Sequence, residues 1–384
     1  MIIDKGGTQM ETLNLGDNLV RLRRKKGITQ EELANFVGVT KASVSKWETR
    51  QSMPDILILP RLAAFFDVTV DELIGYIPQL GKEQIQKIYY ELADEFAGKP
   101  FDETMEHCRK LIKTYYSCYP FLFQMSVLLL NHFMLADTQE KQKEVLEEAV
   151  SLCERIIRDC RDISLCSDAV MMQSCIWLQL GKVQEVIEKL EEICSPYRVS
   201  GQTDTLLLQA YKTAGDVEKA DRFAQVGMYT HLMFLVDSAI HFMDIRKDDP
   251  KACEETIARI DKICEAYHLE QLQYHEAALY QMQAAFYYCH QGQNEKAIAR
   301  LEKYVRIIEN MLTGDHLLQH GDVYFDKIAL WYEGSDLGGR APRDKKIILD
   351  SAFSIFSYPA LECLKDDPKF QKLQKELQKK GENL

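Results

Sequence analysis

Ten prolines and nineteen glycines are few for a chain of 384 residues, and few segments alternate apolar with polar side chains. Both shortages argue against a turn-rich β architecture and leave helix as the default. Long apolar runs are missing too. The longest, Pro120–Leu130 and Ile56–Phe66, fall well short of the ~20 residues that span a bilayer. Residues 1–15 lack the basic start and apolar core of a secretory signal, so a cytoplasmic protein with no membrane partner is expected. Cysteine is not scarce, but the eleven residues form no CxxC pair and their number is odd. Reduced, mostly buried thiols are expected, Cys160 and Cys166 among them.

Catalytic patterns are equally thin. No Gly-rich dinucleotide loop, nucleophile elbow or paired-carboxylate motif stands out. Gly75…Gly81-Lys82-Glu83 has five residues between its glycines where a phosphate loop has four, and Glu where a hydroxyl must hold Mg²⁺. His316 and His320 are one helical turn apart beside Asp315 and Asp322, yet no third ligand is fixed, so a polar surface turn is expected there. The clusters Tyr115-Tyr116, Phe286-Tyr287-Tyr288 and Trp331-Tyr332 could stack bases but read better as core packing. The chain is expected to be no enzyme and to hold neither cofactor nor metal.

Charge is present, and unevenly placed. The net charge is −12, but residues 1–76 carry ten Lys/Arg against ten Asp/Glu, and the remainder carries the whole deficit. Within the neutral segment the bases cluster, at Arg21, Arg23, Arg24, Lys25 and Lys26 and again at Lys41, Lys46 and Arg50. A local basic face is what phosphate binding needs; the net charge of the whole chain is not.

Leu15, Leu19 and Leu22 give a first helix from about Asn14 to Lys26, ended by Gly27. Thr29-Gln30-Glu31-Glu32 is a capping box opening a second, with Leu33, Phe36 and Val37 on its inner face. Gly38 turns the chain and Thr40 caps a third helix. Pro60 kinks a fourth or delays its start, and Thr69-Val70-Asp71-Glu72 caps a fifth. At 100° per residue the third helix sets Ser43, Val44 and Trp47 on one side and Lys41, Ala42, Ser45 and Lys46 on the other. That second side is short, polar and basic, and fits a major groove.

The run ITQEELANFVGVTKASVSKWETRQSMPDI with LPRLAAFFDVTVDELIGY resembles the helix-turn-helix family of phage Cro and repressor proteins, the XRE family. The resemblance implies that Thr40, Lys41, Ala42, Ser45 and Lys46 face the groove and that Gln30 contacts a phosphate. The family has Gly where this chain has Arg50, which costs roughly 1 kcal/mol in a left-handed cap unless the turn differs or Arg50 takes a phosphate.

After a linker at 77–82, residues 83–384 read as successive helices. Gly181, Gly215 and Gly292 each follow a helix with an aromatic residue four positions earlier, Trp177, Tyr211 and Tyr288. The first two glycines lie one 34-residue tetratricopeptide period apart; the third is nine residues late, which makes the array irregular. This resembles a degenerate tetratricopeptide-like α-solenoid. Transferring its framework puts Asp168, Met171, Cys175, Thr205, Gln209, Lys212, Met282, Phe286 and His290 along a concave effector groove, although Met171, Met282 and Phe286 serve equally well as packing between helices.

The sequence therefore predicts an all-α chain, a five-helix helix-turn-helix domain at 11–76 followed by a tetratricopeptide-like solenoid. In domain order it resembles the peptide-sensing regulators of Gram-positive bacteria. The expected function is that of a homodimeric transcriptional regulator on double-stranded DNA, with Arg24 on a phosphate and a peptide or small-molecule effector in the groove. The competing reading is a protein-interaction scaffold or adaptor whose first domain does not bind DNA.

Overall fold

The computed structural model describes residues 14–76, 79–191, 202–313, 321–338 and 340–381; His316 and His320 lie outside them. The described residues are all helix and connecting loop, with no strand. They divide into two compact units, one running to Gly81 and including Lys113–Cys118, the other formed by Lys82–Ile112 and Tyr119–Leu384.

The first unit contains α1 (Leu15–Lys25), α2 (Gln30–Val37), α3 (Lys41–Glu48), α4 (Leu59–Phe66) and α5 (Val70–Ile74). Local chemistry sets most of the boundaries. Thr29 Oγ1 accepts from the Glu32 amide at 3.2 Å while the Glu32 carboxylate accepts from the Thr29 amide at 2.7 Å. Thr69 and Glu72 close the same box on α5, and Thr40 Oγ1 accepts from the Ser43 amide to open α3. Pro60 does not kink a helix. It sits in the first turn of a late-starting α4, where its missing N–H has no intrahelical partner to lose. Leu15, Leu19, Leu33, Val44, Leu62 and Leu73 are at most 2% exposed and form the centre of one apolar cluster with Trp47. Phe36 departs from expectation. It is 60% exposed and lies outside that core, its ring 4.2 Å from Phe65.

The second unit begins with α6 (Lys82–Gly98), α7 (Phe101–Thr114), α8 (Tyr119–His132), α9 (Gln139–Asp159), α10 (Ile163–Gln179) and α11 (Val183–Glu191). It continues through α12 (Gln202–Thr213), α13 (Val217–Ile245), α14 (Pro250–Ala266), the short α15 (Leu269–Leu272), α16 (Tyr274–His290) and α17 (Asn294–Thr313). It closes with α18 (Ile328–Gly334), α19 (Lys345–Ser354) and α20 (Pro368–Gly381). Sequential helices pack face to face, because each is apolar along one stripe and buries it on its neighbour. Ala277, Ala278, Ala284 and Ala285 on α16 are buried, and small side chains there let α17 approach closely. Phe370, Leu373 and Leu377 of α20 bury against the same cluster.

The three glycine segments fold into one repeated turn. Gly181, Gly215 and Gly292 have φ near +70° to +76°. The amide after each bonds back to the carbonyl of the aromatic residue: Lys182 to Trp177 at 2.9 Å, Asp216 to Tyr211 at 3.0 Å, Gln293 to Tyr288 at 2.8 Å. This is the six-to-one closure of a helix C-terminus, and it needs a left-handed residue. The irregular spacing also has a cause. α13 runs unbroken for 29 residues, its turn falling at Arg246–Asp249 with no glycine, and α15 is then inserted before α16. The cysteines are less uniformly buried than predicted: Cys108, Cys118, Cys153, Cys253 and Cys289 are, whereas Cys160 and Cys166 are half-buried and Cys175 and Cys363 exposed.

A segment late in the chain returns to the start of this unit. Lys82 Nζ donates to the Gly334 carbonyl at 2.6 Å, Tyr89 Oη to Pro342 at 3.2 Å, and Tyr90 Oη lies 2.5 Å from the Leu337 carbonyl and 2.9 Å from that of Arg340. Gln124 Nε2 donates to Asp336 at 3.0 Å, and Arg340 pairs with Asp94 while covering the Tyr90 ring. Tyr90→Phe is expected to lower the stability of this unit by about 1–2 kcal/mol, the value of a half-buried hydroxyl bond. Hydrogen exchange by mass spectrometry on the full chain checks it, with loss of protection expected at 335–338.

Candidate nucleic-acid interface

α3 has two chemically distinct sides. Val44 is 0% and Trp47 5% exposed, and they hold the helix to the core. Lys41, Ala42 and Lys46 are exposed and Ser45 half-buried on the other side. Thr40, also exposed, is fixed by its cap and by a 2.9 Å contact between its hydroxyl and that of Ser43. Lys41 Nζ lies 3.7 Å from Glu31 Oε2, a solvated pair worth little that a phosphate can displace. The five groove-facing residues that the family resemblance proposes thus share one helix and its cap.

What aims that helix is a residue the sequence reading passed over. Glu48, the last residue of α3, has a side chain only 4% exposed. It accepts from Arg23 Nε at 2.6 Å and Nη2 at 3.0 Å, and from Gln30 Nε2 at 2.8 Å. Arg23 also donates from Nη1 to the Ile28 carbonyl at 3.0 Å. Burial pushes the Glu48 carboxyl up, but the Arg23 and Gln30 hydrogen bonds, with the charges of Arg23 and Arg24, hold it below its ordinary range. One carboxylate therefore ties together α1, α2 and α3. The helices approach closely here: a Cβ on Gly16 would stand 2.9 Å from the Trp47 carbonyl oxygen.

This geometry redistributes the basic cluster. Arg23 is an internal structural partner. Lys26 donates to the Phe65 carbonyl, lies 3.5 Å from Asp67, and sits 4.6 Å above the Phe65 ring. Gln30 has one of its amide hydrogens engaged by Glu48. Arg50 takes the left-handed conformation itself, at φ +59°, and its guanidinium bonds Asn14 at 3.1 Å and pairs with Asp17. Arg21, Arg24, Lys25, Lys26, Lys41 and Lys46 are exposed.

The proposed effector positions are less uniform. Asp168, Met171 and Cys175 on α10 and Thr205, Gln209 and Lys212 on α12 are exposed. Burial, with the charges of Asp336 and Asp162, pushes the Asp168 carboxyl up. Met282 and Phe286 on α16 are half-buried against the core, Phe286 stacking on Tyr358 at 5.7 Å. His290 Nε2 lies 2.6 Å from Asp248.

Comparison with known proteins matches residues 19–73 to the family described as Helix-turn-helix. A 63-residue stretch is 37% identical to the HTH-type transcriptional activator BcrR of Enterococcus faecalis, over 16% of this chain and 31% of that protein. Over 59 residues the chain is 36% identical to the HTH-type transcriptional regulator AnsR of Bacillus subtilis, covering 15% of this chain and 51% of that one. The chain thus spans about a third to a half of these relatives. The apo form of the competence regulator ComR from Streptococcus vestibularis aligns over 85% of this chain and 98% of its own at 13% identity, with a TM-score of 0.24, a likeness too slight to bear on the function. The first unit carries a helix-turn-helix domain of the XRE type.

Replacing Glu48 by Gln is expected to cost this domain about 2–3 kcal/mol at pH 7, since the largely buried Arg23 loses its counter-charge. A carboxyl held low in the fold stabilises above its unfolded pKa and loses that contribution as pH falls through the folded value. The deficit of the variant should therefore shrink in acid. Urea unfolding of the full chain, followed by amide exchange over residues 15–74 at neutral and acid pH, reads both effects.

Proposed function

We propose that the chain is a sequence-specific DNA-binding transcriptional regulator that reads the major groove with α3. The observation that carries this is the exposure of Lys41, Ala42 and Lys46 on one polar side of a helix whose other side is locked by Val44, Trp47 and Glu48. Lys46 and Lys41 supply donors to guanine edges, Ala42 meets a thymine methyl, and Ser45 lies beside them. Thr40 and Arg24 position the phosphate backbone, with the remaining amide hydrogen of Gln30. Arg50 reaches a phosphate only by leaving Asp17.

In this reading the protein works as a homodimer, placing two copies of α3 about one helical turn (~34 Å) or a multiple of it apart. The second unit is the tetratricopeptide-like effector and dimerisation part. Exposed Met171, Cys175, Thr205, Gln209 and Lys212 offer the mixed polar and apolar surface that an extended peptide needs. Ligand binding there shifts the balance between spacings of the two readers.

Selection of bound genomic fragments, followed by titration on the selected site, tests the DNA reading. Lys46→Ala should weaken binding by about 1–3 kcal/mol and relax preference at one base pair. An unchanged base preference would remove Lys46 from that role. Arg24→Ala should weaken all sequences alike and reduce the salt slope by about one. Failure of the wild-type chain to retain any DNA in a salt-dependent way would sink the proposal as a whole.

A further inference from the structure

Among its described residues, the second unit gives no counter-charge to one enclosed cation. Arg343, just ahead of α19, is half-buried, and its one recorded hydrogen bond among the described residues is a long 3.5 Å contact from Nη1 to Ser351 Oγ. No described carboxylate lies within ion-pair distance of it. Arg23 is gripped by Glu48, and Arg300 by both oxygens of Asp261 at 2.7 Å with Gln281 beside it. Burial holds the Arg343 guanidinium below its ordinary range, opposed only by the phenol of Tyr89.

Tyr89 on α6, His132 on α8 and His275 on α16 all feel the charge of Arg343. Tyr89 on α6 uses its hydroxyl on the Pro342 carbonyl. His132 on α8 is 0% exposed, its Nδ1 lies 2.8 Å from the Leu128 carbonyl and so donates to it, and its Nε2 has no hydrogen-bond partner among the described residues. Burial, and then the charge on Arg343, push His132 down to about 4 against the pull of that carbonyl. His275 on α16 is lowered by the same two causes. Among the described residues, the polar group bonded to Arg343 is thus a neutral hydroxyl. Taking a guanidinium out of water without an anion is unfavourable, and folded chains ordinarily place a carboxylate against it.

We propose that Arg343 anchors an anion subsite that takes a carboxylate group of a ligand entering the second unit, the planar fork of the guanidinium binding both oxygens. His132 and His275, neutral at pH 7, bring no negative charge to compete. For its biological use the subsite rests on the reading of this unit as an effector domain; the binding itself does not.

The test is thermal unfolding of the full chain at fixed ionic strength, with chloride replaced by acetate, or with tri-alanine bearing a free C-terminus or its amide. Acetate should raise the melting temperature of the wild type. A response to free tri-alanine but not to its amide identifies a peptide carboxylate as a source; a response to acetate alone identifies a small anion. Arg343→Met should melt higher than the wild type in chloride, because an unpaired charge is gone, and bind acetate at least about tenfold more weakly. Arg343→Lys, which keeps the charge but not the fork, should fall between them and guards against a variant that does not fold. Two results overturn the proposal: Arg343→Met responding to acetate as the wild type does, or no response from the wild type to any probe. DNA affinity measured on the same samples separates the two readings. Anion binding at Arg343 with DNA affinity unchanged leaves the subsite standing and removes effector control.

Discussion

The orientation of α3 depends on one buried carboxylate. Apolar contact through Val44 and Trp47 attaches the helix to the first unit, but burial of apolar surface has little directional preference. Glu48 adds direction: its oxygens accept from Arg23 on α1 and Gln30 on α2, so rotation of α3 about its axis breaks charge-assisted bonds in a largely water-excluded place. The close passage of Gly16 past the Trp47 carbonyl and the left-handed turn at Arg50 belong to the same junction. The polar side of the helix is presented outward while these bonds to Glu48 hold.

The second unit solves its problem by repetition. One turn geometry, a left-handed glycine with the following amide bonded to an aromatic residue's carbonyl, ends α10, α12 and α16. Between such turns the helices bury apolar stripes, and the buried charge of Arg300 is met by Asp261, Gln281 and the ring of Tyr280. Full pairing of that arginine sets off the bareness of Arg343 within the same unit.

Much of this was legible in the sequence where the cause is local. Capping boxes at Thr29 and Thr69, the turn at Gly38 and the two-sided pattern of α3 all depend on residues within four positions of one another, so spacing reports them. The helix-turn-helix and the three glycine turns were readable for that reason. Glu48 was not, since its partner Arg23 is 25 residues away and a lone acid at the end of a basic helix carries no pattern. The basic cluster was overcounted because Arg23 turns inward onto Glu48 and the still exposed Lys26 is engaged by Phe65 and Asp67, which composition does not show. Phe36 misled because a helical face was read as wholly buried when Phe36 lies at its rim, beside the buried Val37. The missing turn in the repeat was hidden because α13 continues through the position where a regular array would break.

The return of residues 334–342 to α6 was invisible for a different reason: its acceptors are mostly backbone carbonyls, which every residue possesses. That feature also bears on how the protein is made. Tyr89 and its acceptor are 253 residues apart. At ~5–20 residues per second, a ribosome finishes α6 tens of seconds before the segment it bonds has left the exit tunnel. Over that interval the tyrosines of α6 are available to any other carbonyl-rich strand, including those of neighbouring nascent chains. Until the later segment emerges, α6 carries hydroxyls whose final acceptors have yet to be made.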